Sequence, residues 1–124
     1  MRHTTLLATA LLAVLAGCGG DERSPDEVAR EYLTSDDPAK CEDADPAFLE
    51  RQTRKEGDEA IEQCRRNVES GSPPKGVRYV NIAVAGDRAT VRFEVSGQPV
   101  RVSLRHRGDR WLVTDLTQVT HSAP

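Results

Sequence analysis

Hydrophobic and polar positions along this chain of 124 residues fall into three successive patterns. Leu6 to Leu15 is an unbroken apolar run of Leu, Ala and Val around one Thr. Ten residues of helix extend about 15 Å, roughly half the hydrocarbon thickness of a bilayer, so the run is too short for a stable transmembrane helix. From Ser24 onward the apolar residues recur at helical spacing. Ser24-Pro25-Asp26-Glu27 is a helix start, with Ser24 as cap, Pro25 at the first helical position and Glu27 closing a capping box. Val28, Ala29, Tyr32 and Leu33 then share one face. Asp37-Pro38 and Asp45-Pro46 repeat the arrangement of cap and proline, which predicts two short helical turns, the second directing Phe48 and Leu49 inward. Over Asp58 to Glu69 the residues Ile61, Cys64 and Val68 line one face of a further helix, with Glu59, Glu62, Arg65, Arg66 and Glu69 on the other. Ser70 to Gly76, containing Pro73-Pro74, reads as a loop.

The period then shortens to two. Val80, Ile82 and Val84 alternate with Tyr79, Asn81 and Ala83, and after the Gly86-Asp87 turn Ala89, Val91, Phe93 and Val95 alternate with Arg88, Thr90, Arg92 and Glu94. Ser96-Gly97-Gln98 precedes Val100, Val102 and Leu104, and Arg107-Gly108-Asp109 precedes Trp111 and Val113. Four strands joined by tight turns make an antiparallel meander. Because one face is apolar and the other charged, the expected fold class is α+β, with the N-terminal helices packed on one face of the sheet. The expected core is Val28, Tyr32, Leu33, Phe48, Leu49, Ile61, Val68, Val91, Phe93, Val102, Leu104, Trp111 and Val113.

Residues 1–5 carry one Arg and no acid ahead of the apolar run, which is the layout of a secretory signal. Leu15-Ala16-Gly17-Cys18 closes that run and resembles the lipobox of bacterial lipoproteins. The resemblance implies a signal peptide over 1–17, a diacylglyceryl thioether on Cys18, and a location on the extracytoplasmic face of the cell membrane. Two or three acyl chains hold a protein to a bilayer stably, whereas one holds it marginally. Residues 18–23 then form the lipidated cysteine and a flexible tether, 24–118 a single α+β domain and 119–124 a polar tail. With Cys18 given to lipid, Cys41 and Cys64 are an even pair in a compartment where disulfides persist, and they are expected to bond to each other. Their spacing matches neither a CxxC redox motif nor a zinc ligand set.

Helices followed by a four-stranded meander ending in Gly108-Asp109-Arg110-Trp111 with Val113 resemble the cystatin-like and nuclear-transport-factor-2-like group over residues 24–117. The resemblance implies a curved sheet wrapped around helices as a cone. Enzymes on that fold, such as those resembling ketosteroid isomerase, work in a pocket inside the cone with a carboxylate base and a phenol or protonated acid. Asp115 has the strand parity of Trp111 and Val113 and is expected to turn inward, while Tyr32 and Tyr79 are the only phenols. These three define the candidate pocket of the alternative reading, a small-molecule-binding protein or isomerase-like enzyme. No catalytic residue is carried over from the family. His106 and His121 stand apart without an HExxH pattern, serines lack a GxSxG context, and the glycines form no phosphate loop, so no metal or cofactor is expected.

Charge adds a surface feature. Beyond residue 17 the chain carries sixteen basic and twenty acidic side chains, net −4, which excludes a typical nucleic-acid binder. Residues 19–76 have net charge −7 and residues 77–124 net +3. Arg88, Arg92, Arg101 and Arg105 share outward parity with Thr90 and Ser103, which predicts an arginine-rich face on the sheet. Such a face suits anionic headgroups, acidic envelope polymers or an acidic protein surface, including the helical half of another copy; it also blocks unwanted edge pairing. The expected function is a lipid-anchored envelope module that binds a partner without catalysis.

Overall fold

Ser24 starts the first helix as its sequence predicts, its backbone N–H and its hydroxyl both donating to the Glu27 carboxylate at 3.2 and 2.8 Å. The computed structural model describes residues 22–118. The signal segment, Cys18 and the tail 119–124 lie outside the described residues. Helix α1 runs over Pro25–Thr34, a 3-10 helix over Pro38–Asp43, α2 over Pro46–Thr53 and α3 over Asp58–Ser70. Asp37 and Asp45 cap the second and third of these, each accepting at 2.9 Å from the backbone N–H two residues on. Strands follow as β1 (Val77–Ala85), β2 (Arg88–Val95), β3 (Gln98–Arg107) and β4 (Arg110–Gln118). They form one open antiparallel sheet in the order β1-β2-β3-β4, with the helical layer on one of its faces: α1, α2 and the 3-10 helix contact the strands, and α3 packs on the 3-10 helix and α2. The fold class is therefore α+β.

Cross-strand rows Ala89↔Leu104, Val91↔Val102 and Phe93↔Val100 supply the sheet side of the core. Val28, Phe48, Leu49 and Cys41 meet them from the helices, and all of these side chains are buried. Burying one such aliphatic or aromatic side chain contributes about 1.5–3 kcal/mol, so these residues dominate the cohesion of the two layers. Tyr32, Ile61, Val68 and Trp111, expected in the core, are half-buried around it. On α3 the most buried residues are Ala60 and Cys64, because the helix turns its Ala60–Cys64 stripe squarely to the core and leaves Ile61 and Val68 at the flanks.

Two bulges correct the strand parities. In β1 the register slips between Tyr79 and Asn81, so Tyr79 faces inward opposite Phe93 and Val80 is displaced outward, 40% exposed. Beyond the bulge Ile82 faces inward, and Val84 stands past the reach of the helices, 54% exposed. In β4 the slip falls at Thr114, between the pairs Leu104↔Val113 and Ser103↔Asp115. The outer edge of β4 is joined by the chain leading into α2, where the Asp45 N–H donates to the Val113 carbonyl at 2.8 Å and Ala44 bridges Val113 in parallel.

Glu22 and Arg23, read from sequence as the end of the tether, are bonded to the domain. The Glu22 carboxylate lies 2.5 Å from His106 Nε2 on β3, and Arg23 pairs with Glu31 and, at 2.6 Å, with Asp43.

Candidate functional site

The alternation that buries Ala89, Val91 and Phe93 forces Arg88, Thr90 and Arg92 to the opposite face of the sheet, and the same holds for Arg101, Ser103 and Arg105 on β3. Register then sets like against like: Arg88 faces Arg105, Thr90 faces Ser103 and Arg92 faces Arg101. Directly opposed Cα atoms in an antiparallel ladder lie about 5 Å apart, so each arginine pair is repulsive unless a counter-charge intervenes. Glu94, on the same face, is bound by Arg78 at 2.6 Å. Among the described residues none of Arg88, Arg92, Arg101 and Arg105 forms an ion pair. Arg101 Nε is shielded from solvent and has no hydrogen-bond partner among the described residues.

Two open hollows mark this face. One, of about 450 Å³, lies among Arg88, Thr90, Ser103, Arg105, Arg107 and Thr114. The other, of about 360 Å³, lies among Val80, Arg92, Glu94, Pro99 and Arg101. Arg107 and Thr114 were not among the expected site residues. Arg107 continues the β3 parity of Arg101, Ser103 and Arg105, a signal masked by its place beside the Gly108-Asp109 turn; its Nη2 lies 3.1 Å from Asp45 Oδ2. Thr114 reaches the face because it is the bulged residue, and its hydroxyl donates to the Ser103 carbonyl at 3.2 Å.

The interior pocket expected around Asp115 does not assemble. Asp115 is exposed on the outer face opposite Ser103, since the Thr114 bulge reverses the parity of everything after Val113 and sends Leu116 inward in its place. Tyr79 lies on the opposite edge strand, packed edge-to-face on Phe93 at 6.0 Å, with the Arg30 guanidinium 5.8 Å from its ring centre. Tyr32 packs edge-to-face on Phe48 at 6.1 Å. The three residues are separate, and the space between helices and sheet is filled by Phe48, Phe93, Leu104, Val91 and Val102.

On the helical side a groove of about 270 Å³ runs between Tyr32, Lys40, Gln52 and Asn67. Lys40 Nζ donates to the Ser35 carbonyl at 2.7 Å and sits 5.6 Å from the Tyr32 ring centre. Burial pushes the Tyr32 phenol up to about 12 and lowers the Lys40 ammonium, the latter partly offset by Asp36. Beneath this groove Cys41 and Cys64 are joined by a disulfide with a Cα separation of 6.0 Å, tying the 3-10 helix to α3.

Among the described residues no group of three or more His, Cys, Asp and Glu side chains could hold a metal ion, and no helix is long and apolar enough to cross a membrane. No protein-family model matches the chain and no curated protein does. The solution structure of a SEC-C motif containing protein from Rhodopseudomonas palustris is similar, with a TM-score of 0.50 and 20% identity over 78% of this chain and 80% of that one. At that identity the likeness concerns the fold alone.

Proposed function

We propose that this protein is a lipid-anchored lipoprotein of the bacterial cell envelope that binds an anionic partner through the outer face of its sheet, without catalysis. The observation that supports it most is the two pairs of opposed arginines, Arg88↔Arg105 and Arg92↔Arg101, none of which forms an ion pair among the described residues although Glu94 and Asp115 share the face. Each such repulsion costs the fold a fraction of about 1 kcal/mol, and an anionic ligand relieves both. The lipobox-like Leu15-Ala16-Gly17-Cys18 supports the anchor. The order of helices then meander, together with two bulges that increase twist and bend the sheet, supports a small form of the cystatin-like or nuclear-transport-factor-2-like cone.

Two measurements test this reading. Cys18→Ser is expected to move the protein from the membrane fraction to the medium, and retention of the variant in the membrane would refute the anchor. On a polyphosphate-coupled resin the Cys18→Ser protein is expected to bind and elute with salt, while Arg92, Arg101 and Arg105 changed together to Glu abolishes retention. Equal retention of both proteins would refute the binding face.

A further inference from the structure

Glu22 holds the start of the domain against one end of the sheet. Its carboxylate is bonded to His106, which lies between Arg105 and Arg107, and the His106 N–H donates to the Asp87 carbonyl at 2.8 Å in the β1–β2 turn. Two of the three sheet turns, Gly86-Asp87 and Gly108-Asp109, therefore lie at this end, together with the hollow around Arg88 and Arg105. Cys18 precedes Glu22 by four residues, a span of at most about 14 Å when fully extended. The polar layer of a bilayer is itself about 5–7 Å deep on each side. An acyl chain on Cys18 thus holds Glu22 within about 14 Å of the acylated cysteine. That is close enough for this end of the sheet to reach the headgroup layer but not enough to press it there, so lasting contact needs an attraction of its own.

The chemistry of the hollow suits that neighbour. Arg107 is partly committed to Asp45 and the Thr114 hydroxyl to the Ser103 carbonyl, but Arg88 and Arg105 have no carboxylate partner among the described residues. Opposed guanidiniums, with the hydroxyls of Thr90 and Ser103 one row below, can clamp the two unesterified oxygens of a phosphodiester by paired N–H donors. The turn carboxylates Asp87 and Asp109 form no ion pair with either arginine among the described residues. We infer that the hollow between Arg88 and Arg105 takes the headgroup phosphate of a phospholipid in the membrane that carries the anchor, so that the domain lies against the bilayer by its turn end. This rests on the lipidation of Cys18 proposed above. It leaves Arg92 and Arg101, on the same face but four residues and about 14 Å further along the strands from the turn end, clear of the headgroups for a second anionic partner.

Trp111 is the chain's one tryptophan, and its ring lies 5.0 Å from that of His106, at the end of the sheet expected to meet the membrane. The test uses the purified, lipidated protein in phosphatidylglycerol vesicles doped with a dansyl-headgroup lipid, read by flotation and by energy transfer from Trp111. Wild type is expected to float and to show strong transfer. Arg88→Gln with Arg105→Gln is expected to float equally while its transfer drops, the headgroup-bound state weakening about fivefold per guanidinium removed. Sodium chloride at 1 M is expected to lower wild-type transfer in the same way without any substitution, because it screens the contact. Arg92→Gln with Arg101→Gln is expected to leave transfer unchanged. Flotation with transfer insensitive to the Arg88/Arg105 change and to salt would overturn the headgroup site while leaving the anchor standing. Failure of wild type to float would overturn the anchor, and the placement with it.

Discussion

Arg92 on β2 stands directly opposite Arg101 on β3, and neither guanidinium reaches a carboxylate among the described residues. An opposite-charge pair at such positions contributes roughly 0.2–1 kcal/mol, and a like pair costs a comparable amount. Arg92→Glu is therefore expected to raise the unfolding free energy by about 0.5 kcal/mol while weakening polyanion binding. Urea denaturation with an unchanged slope, set beside retention on polyphosphate resin, measures the two effects. A variant that loses both stability and binding would show that the arginine pair is structural.

How far the sequence foretells this face depends on where strand parity holds. β2 and β3 alternate without interruption, so Arg88, Arg92, Arg101 and Arg105 are legible from spacing alone, as are Val91, Phe93, Val102 and Leu104 on the buried side. β1 and β4 each contain a bulge, and a single extra residue reverses every later side chain. The signal is present in hindsight: Tyr79 and Val80 are adjacent apolar residues, and Trp111, Val113 and Leu116 step by two and then by three. An uninterrupted β4 would turn Asp115 inward; the bulge at Thr114 turns it out. Contacts such as Arg23 with Asp43, or Glu22 with His106, join residues distant in sequence and leave no local pattern to read.

The Cys41–Cys64 bond closes a loop with a sequence separation of 23. In the chain-entropy treatment a loop of that length stabilises the fold by about 3 kcal/mol, a large share for one small domain. Reduction is expected to lower the unfolding free energy by that order, with Cys41, wholly buried, leaving a polar thiol in the core. Equal urea midpoints for the oxidised and reduced protein would contradict it.

Asp43 is buried between two guanidiniums, with Arg23 Nη2 at 2.6 Å and Arg110 Nη2 at 3.0 Å from one oxygen. Arg110 also donates to the Glu42 carbonyl at 2.7 Å, so the cluster clips the N-terminal residues and the 3-10 helix to the start of β4. The hydrogen bond to Asp43 is the main reason the Arg23 guanidinium is held above its ordinary proton affinity. Asp43→Ala is expected to cost about 2 kcal/mol and to increase hydrogen exchange at residues 22–24. Unchanged exchange there would mean that Glu22 and His106 alone secure the entry to α1.

Tyr32 gives the fold an alkaline limit. Its phenol is pushed by burial from about 10 to about 12. The folded chain therefore keeps a proton that the unfolded chain releases, and the associated stability is whole below pH 10 and gone above pH 12. Lys40, close to the ring, is itself lowered by burial, so it is neutral before Tyr32 ionises and offers the phenolate no counter-charge. By pH 11 about 1.4 kcal/mol of the Tyr32 contribution is expected to be lost. Tyr32→Phe keeps the ring packed on Phe48 and removes the titration, while every other alkaline group is common to both proteins. The difference between their urea midpoints at pH 9 and pH 11 therefore isolates Tyr32. Parallel loss of stability in the two proteins would place the alkaline sensitivity elsewhere in the chain.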